Sequence, residues 1–439
     1  MNPVPKRIAT ALINSLKGGV VPRVGLPYIA VGRETEINTF LHDVDIIADG
    51  GATFRFIVGK YGSGKSFLLQ TVRSYVMDKN FVVIDADLSP ERRLQGSKGQ
   101  GLATYKELIR NMSTKTRPDG GALSLILDRW INAVQTETAV ETGLSPMDQS
   151  IHPHMEKKIW SVLASLEEMV HGYDFAKLLT MYYTAYITDD DDSKSKIIKW
   201  FRGEYATKTE VKKELGINIV ISDDDWYEYI KLFAFFLKKA GYSGLLVLID
   251  ELVNIYKIPN SITRQYNYEK LLTIYNDTLQ GKAKYLGFIM CGTPQSIEDE
   301  RRGVFSYEAL KSRLEEGRFA TETIKDILAP IIRLVPLSYE EMFVLIEKLT
   351  EIHSGLFEYE AKVSQDDMID FIKIEFGRIG ADVNITPREV IRDFIELLNL
   401  VYQNPELNIH DILHSSGFEF AKGNMSDEKI NEEFREFTI

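Results

Sequence analysis

Apolar positions recur along this chain in two rhythms. Residues 53–58 (TFRFIV), 81–85 (FVVID), 244–249 (GLLVLI) and 285–291 (YLGFIMC) are short, nearly continuous runs of β-branched, aromatic and aliphatic side chains. That is the pattern of strands buried on both faces. Elsewhere apolar residues return every three or four positions, as Ile8, Leu12, Ile13 and Leu16 do before Gly18-Gly19. This spacing predicts helices. It recurs over 34–47, 66–77 and most of 102–242, most clearly at 105–112, 123–134, 155–169, 173–186 and 226–239. Residues 217–221 (INIVI) are weakly strand-like within that region.

Strand, glycine-rich turn, helix and strand, in that order from residue 53, open an α/β unit with a parallel sheet. The stretch 102–242 far exceeds the one helix that a crossover needs, so it is predicted to be a helical insertion. Residues 338–403 carry three or four helices. The final segment, 404–439, is polar and acidic, a loosely attached tail.

The turn carries the first chemistry. Gly59-Lys60-Tyr61-Gly62-Ser63-Gly64-Lys65-Ser66 fits G-x-x-x-x-G-K-[ST]. Glycines at 59, 62 and 64 let the backbone turn tightly and aim N–H groups at phosphate oxygens. The helix that begins near Lys65 adds its positive end. Lys65 brings a charge to the β- and γ-phosphates of ATP, and the Ser66 hydroxyl suits Mg²⁺. Tyr61, Ser63 and Phe67 complete the predicted nucleotide-binding stretch. The second half is Leu245-Leu-Val-Leu-Ile249-Asp250-Glu251, a buried strand that ends in two carboxylates. Asp250 is placed to order the metal, and Glu251 to polarise a water.

Composition then limits the setting. Apolar residues make up 44 % and charged residues 26 % of the 439, a globular balance. Cys291 stands alone, so no intrachain disulfide forms and the cytoplasm is the expected compartment. The start of the chain reads as no signal peptide, and no apolar run approaches a membrane span. The seven histidines show no metal-ligand spacing. Trp130, Trp160, Trp200 and Trp226 sit among Leu and Ile at helical spacing, as core residues do. With 52 basic against 64 acidic residues the net charge is −12, which argues against a surface coated by nucleic acid. Locally the sign inverts: between Arg92 and Arg117 seven basic residues face one acid, Glu107. Arg92, Arg93 and Lys98 are therefore candidate DNA contacts.

Several motifs resemble those of AAA+ ATPases, in the same order. Val31-Gly32-Arg33-Glu34-Thr35-Glu36-Ile37 is similar to the box that packs near adenine, which implicates Arg33. Gly292-Thr293-Pro294 falls where these proteins carry sensor 1. Residues 309–314 (ALKSRL) and 332–342 are similar to the arginine-finger box and lid start of origin-recognition-complex-type ATPases. Thr386-Pro387-Arg388-Glu389 falls at sensor 2. Residues 11–23 (ALINSLKGGVVPR), 105–110 (YKELIR) and 120–123 (GGAL) further resemble the BREX-system ATP-binding protein family, encoded in bacterial phage- and plasmid-defence loci.

The resemblance implies a nucleotide-binding domain over 29–337 with the insertion inside it, a lid over 338–403, and an N-terminal helical segment over 1–28. It implies that Thr293 senses the γ-phosphate, that Arg388 acts in cis with Arg392 as its rival, and that Arg313 acts in trans. Arg301, Arg302 and Arg318 are alternatives to Arg313. Thr386 and Glu389 form a capping box with Pro387 at the first helical position, on local sequence alone. The basic segment after the second strand would face a central pore. Only about 35 residues follow the lid, too few for a winged-helix domain, so sequence-specific DNA reading is not expected.

Taken together, the expectation is an ATPase forming a homo-oligomer on or near DNA. It would load or remodel a helicase or nuclease partner in defence against foreign DNA. The alternative is a slowly hydrolysing ATP-dependent switch that recruits an effector. A P-loop kinase is disfavoured by the arginine-finger and lid motifs.

Overall fold

The structure, a computed structural model, describes residues 4–146, 148–315, 326, 328–376, 386–407 and 409–413. The chain divides into two compact units. One, the sheet unit, comprises 35–58 and 72–333, and the other, the helical unit, comprises 1–34, 59–71 and 334–439.

The sheet unit is built on five parallel strands: β1 (Ala52–Val58), β2 (Val82–Asp87), β3 (Leu245–Asp250), β4 (Leu286–Gly292) and β5 (Ile331–Arg333). Their order is β2-β3-β4-β1-β5. The four predicted apolar runs became its four longer strands, because a strand covered on both faces has no polar side to show. Val58 pairs with Gly292, Ile249 with Met290, and Asp87 with Asp250. The carboxyl ends of β1 to β4 therefore share one edge of the sheet. The β2 side is capped rather than left open: Val83 and Ser113 exchange backbone hydrogen bonds of 3.0 and 2.8 Å.

The insertion is helical, with Leu123–Thr142, His152–Glu167, Gly172–Ile187, Asp191–Phe201, Lys208–Leu215 and Trp226–Lys239 as its principal elements. Its apolar faces run into the core of the sheet without a break, from Phe54 and Phe56 to Trp130, Phe175, Trp200 and Phe233. Phe175 meets Phe201 and Phe233 edge-on at 5.1 and 5.0 Å.

Two expectations are corrected here. Trp160 is not core; it is 49 % exposed. The buried stripe of its helix is Met155, Ile159, Leu163 and Leu166, and Trp160 lies one residue, about 100°, off that stripe. Residues 217–221 are not a strand. Ile217 and Ile221 are buried, but β-branched side chains make a strand only where a ladder partner exists, and none of the five strands pairs with them.

In the helical unit, Lys6–Lys17, Tyr339–Phe357, Gln365–Phe376 and Pro387–Gln403 share one core that includes Leu12, Ile13, Leu349, Phe371, Phe394 and Leu398. The N-terminal helix thus packs with the candidate lid helices rather than standing apart. The predicted capping box is present: Thr386 Oγ1 accepts from the Glu389 N–H, and a Glu389 carboxylate oxygen accepts from the Thr386 N–H at 3.0 Å. Pro387 takes the first helical position. Of the expected tail, residues 414–439 lie outside the described residues.

Two buried polar devices generate tests. Arg55 of β1 is 6 % exposed and donates to both Asp43 oxygens, at 2.7 and 2.6 Å, and to the Ala329 carbonyl at 2.6 Å. Asp43→Ala strands that guanidinium and should cost about 3–5 kcal/mol in urea unfolding of the sheet unit. The pair replacement Asp43→Leu with Arg55→Met should cost clearly less.

His353 is fully buried, bonded through Nδ1 to the Tyr359 hydroxyl at 2.9 Å and through Nε2 to Asn399 Oδ1 at 3.4 Å. Burial holds its imidazole below the usual histidine range, only partly offset by Asn399. A lowered value means that the unfolded chain takes up the proton first. The His353 contribution to stability is therefore complete above the ordinary value of about 6.5 and is lost as pH falls below it. Melting temperature measured from pH 7.5 to 5.5 should fall, and His353→Gln should flatten the dependence.

Candidate functional site

β1 ends at Val58 and the glycine-rich turn begins at the next residue. Gly62 and Gly64 have φ of +78° and +90°, which a side chain tolerates poorly. The Ser63 N–H closes the turn on the Lys60 carbonyl at 3.1 Å. Lys65 Nζ reaches back to the Gly59 and Lys60 carbonyls, both at 2.9 Å, at the start of helix Lys65–Asp78. Ser66 follows in the first turn of that helix. Tyr61 is 67 % exposed, whereas Phe67 packs against the helical core.

Arg33, implicated by the resemblance, is tied to the turn itself. It is buried, and its Nη2 donates to the Ser63 carbonyl at 3.1 Å and the Val335 carbonyl at 2.8 Å. It braces the turn from behind. Gly62 is a second brace point, since a Cβ there would lie 2.4 Å from Thr386 Cγ2. The turn and the capped start of helix Pro387–Gln403 therefore touch inside the helical unit. Arg388, two residues past Thr386, is exposed, and Arg392 is half-buried with its Nε on Asp393 at 3.3 Å.

At the carboxyl end of β3, Glu251 has φ of +62°, a strained backbone for a non-glycine residue. Its N–H donates to Asp250 Oδ1 at 2.7 Å, which holds that strain in place. Asn254 Nδ2 supports the turn from the Leu88 carbonyl at 2.9 Å, and the Leu88 N–H returns to the Asp250 carbonyl at 3.1 Å. Glu251 itself is exposed.

Sequence reasoning missed Asp87. It lies beyond the predicted strand end at 85, yet it is the last residue of β2 and sits in register with Asp250. Partial desolvation at the strand end, reinforced by the Asp250 and Asp85 charges, raises its carboxyl above the usual range. The alternation in FVVIDAD was the available signal. Carboxylates that repel one another at a strand edge suit a hard cation, so the donor set of Asp250 with Asp87 beside it fits Mg²⁺.

Thr293 follows β4 on the same edge. Its hydroxyl caps helix Pro294–Glu298 by accepting from the Ser296 N–H at 3.2 Å, so it already has a structural role. Arg313 is exposed on helix Glu308–Leu314, with Nη1 on its own Ala309 carbonyl at 2.5 Å. Among its rivals, Arg302 donates to the Tyr256 and Ile258 carbonyls and lies over the Tyr256 ring. Arg301 is exposed, and Arg318 lies outside the described residues.

The basic segment is less of a bare patch than its composition implies. Arg92 Nε donates to the Asp87 carbonyl at 2.9 Å and Arg93 is half-buried, whereas Lys98 is exposed. Arg110 pairs with Glu107 and Lys115 with Asp78. Asn267, fully buried, accepts from the Leu94 and Gln95 N–H groups and donates to the Gln95 carbonyl, all at 3.0 Å.

Gly62→Ala meets both a disfavoured φ and Thr386, so ATP affinity measured by calorimetry should fall at least about tenfold. Thr386→Ala in that background relieves the clash but not the backbone strain, and should recover only part of the loss.

Comparison with solved structures finds similarity to Cdc6p from Pyrobaculum aerophilum. It is 12 % identical, covering 89 % of this chain and 66 % of that one, with a TM-score of 0.41. The chain thus spans slightly under two thirds of that protein's length. Comparison with curated proteins returns no match. No described helix is long and apolar enough to cross a membrane. The architecture is α/β, a five-stranded parallel sheet with a long helical insertion and a second, helical unit, the fold class that the sequence predicted. Residues 4–417 match the family described as BREX system ATP-binding protein BrxC/D, and the chain belongs to that family.

Proposed function

We propose that this protein hydrolyses ATP with Mg²⁺. The cycle would drive its assembly on or near DNA and the loading or remodelling of a helicase or nuclease partner in bacterial defence against phage or plasmid DNA. The observation that carries the reading is the turn at Asp250-Glu251. A carboxylate is held at a positive φ by its neighbour at the carboxyl edge of a parallel sheet, with Asp87 alongside. Backbone strain is retained where a side chain must be aimed.

The roles follow from the chemistry of each group. The residues of the turn 59–64 offer main-chain donors to the phosphates, and Lys65 neutralises the oxygens that gain charge as the γ-phosphoryl group leaves. Ser66 and Asp250 would hold Mg²⁺, which when bound polarises the phosphate oxygens. Glu251 takes a proton from the attacking water as its oxygen bonds to the γ-phosphorus and the bond to the β-phosphate oxygen breaks. ADP and inorganic phosphate result. Thr293, whose hydroxyl proton is still available while its oxygen caps a helix, is assigned to the γ-phosphate. Arg388 is assigned to the same nucleotide in cis and Arg313 to a neighbouring subunit's. Arg92, Arg93 and Lys98 are the assigned DNA contacts.

The slow switch remains the second reading, favoured by the internal pairing of Arg110 and Lys115 in a chain of net charge −12. Turnover with and without DNA separates the two, because a loader is stimulated by DNA and a switch awaits another trigger. Glu251→Gln should lower turnover about 100-fold or more while ATP binding persists. Light scattering should then report a trapped ATP-dependent assembly; unchanged turnover would remove Glu251 from its role. Neutralising Arg92, Arg93 and Lys98 together should weaken DNA binding and flatten its salt dependence, as fewer counterions are released.

A further inference from the structure

Two exposed apolar side chains stand beside the basic loop. Helix Ser261–Leu279 of the sheet unit turns Arg264, Asn267, Tyr268, Leu271 and Ile274 inward. Ile262 and Tyr266, four residues apart and so on one face, are 59 % and 54 % exposed. The tyrosines of this helix differ in the same sense. Tyr268 donates its hydroxyl to the Arg302 carbonyl at 2.5 Å, and Tyr275 to the Arg313 carbonyl at 3.4 Å. Among the described residues the Tyr266 hydroxyl makes no hydrogen bond.

The loop at 88–99 is fixed against this helix. Asn267, the residue after Tyr266, bonds the main chain of Leu94 and Gln95. Lys270, one turn beyond Tyr266, donates to the Asp224 carbonyl at 2.8 Å, and Asp224 Oδ1 accepts from Gln95 Nε2 at 2.8 Å. At the other end Asn254 holds the Leu88 carbonyl, and the exposed Lys257 lies one turn on from Asn254. Arg92, Arg93, Lys98 and Lys257 have no ion pair among the described residues. Leaving out the buried Arg264, residues 88–99 and 257–270 carry five basic side chains against Glu91 and Glu269. Glu91 bonds Ser89 Oγ and Glu269 bonds Gln265 Nε2. Asp223 accepts from the Gly99 and Leu102 N–H groups, and Asp87, Asp250 and Glu251 are assigned above to metal and water.

We infer that this surface takes single-stranded DNA, with a base stacked on Tyr266, the next base on Ile262, and phosphates on Arg92, Arg93, Lys98 and Lys257. Basic side chains without a ring hold only the backbone, and a lone exposed tyrosine is ordinary surface. Here the hydrogen bonds of Asn267 keep the two side by side. Duplex DNA fits less well, since its bases already stack on one another and offer no free face. Stacking on a ring tolerates any sequence. The inference rests on the assignment of Arg92, Arg93 and Lys98 to DNA. To that it adds the form of the DNA and the residue that tells a base from bare backbone.

The test uses the full chain and fluorescein-labelled 20-residue strands, oligothymidylate and an abasic strand of equal length, read by anisotropy over a range of salt. Oligothymidylate should bind at least about fivefold tighter than the abasic strand. Tyr266→Ala should remove that difference at an unchanged melting temperature and an unchanged salt slope, whereas Tyr266→Phe should keep it. Neutralising Arg92, Arg93 and Lys98 should weaken both strands and flatten the slope. Equal binding of the two strands by the unaltered protein would overturn the stacking inference alone, provided that the neutralised variant still binds more weakly. So would a Tyr266→Ala variant that weakens both strands alike, or neither. If that variant binds DNA as before but no longer assembles with ATP, the face belongs to a neighbouring subunit. Binding that ignores the neutralisation, or no binding at all, would overturn the DNA assignment and the inference together.

Discussion

Parallel pairing of β1, β3 and β4 is the constraint on which the chemistry rests. A parallel strand must be reached by a crossover, so every strand of the sheet runs the same way and all the carboxyl ends fall on one edge. Here Val58, Asp87, Asp250 and Gly292 are the last residues of four such strands. The segments that leave them begin the phosphate turn, the loop at 88–99, the Asp250-Glu251 turn and the Thr293 cap. Within the sheet unit, a shift of register in β2, β3 or β4 would move Asp87, Asp250 or Thr293 relative to the others. The apolar runs that fill the strands therefore determine where the polar residues emerge.

What was legible in the sequence followed from local physics. Strands buried on both faces betray themselves as continuous apolar runs, and the capping box at Thr386 needs only residues three apart. The long-range features were not legible. Ile8, Leu12, Ile13 and Leu16 announce a helix but not that its partners are the helices at 339–403, because an apolar stripe does not name what covers it. Trp160 was misplaced because tryptophan is so often core that its one-residue offset from the stripe carried too little weight. Asp87 was missed at a strand boundary, the least certain part of any periodicity argument. Residues 217–221 show propensity without a ladder.

The site shows the same division. The motif proposes Lys65, Ser66, Asp250 and Glu251 because phosphate and metal chemistry ask for those residue types at that spacing. It could not reveal that Arg33 donates to two carbonyls, or that Gly62 is held to glycine by Thr386 as well as by its φ. Both constraints are made by residues distant in sequence, and both act on the same turn. A loop that must present N–H groups to phosphate gains from being held from behind, because each donor then needs no reordering when the anion arrives.

The insertion is integral for a related reason. Its core is continuous with that of the sheet, and Trp226 from its last helix donates to the Leu94 carbonyl at 3.0 Å. Asn267 holds Leu94 and Gln95 from helix Ser261–Leu279, and Leu88 at the other end of the loop bonds both the Asp250 backbone and Asn254. The loop that carries Arg92, Arg93 and Lys98 is thus fastened to the acidic turn at one end and to helix Ser261–Leu279 and the insertion at the other. Composition alone makes that loop a charged patch, whose worth would fall with salt. Its hydrogen bonds fix both of its ends, so its charges are carried on a fastened loop rather than a freely solvated one.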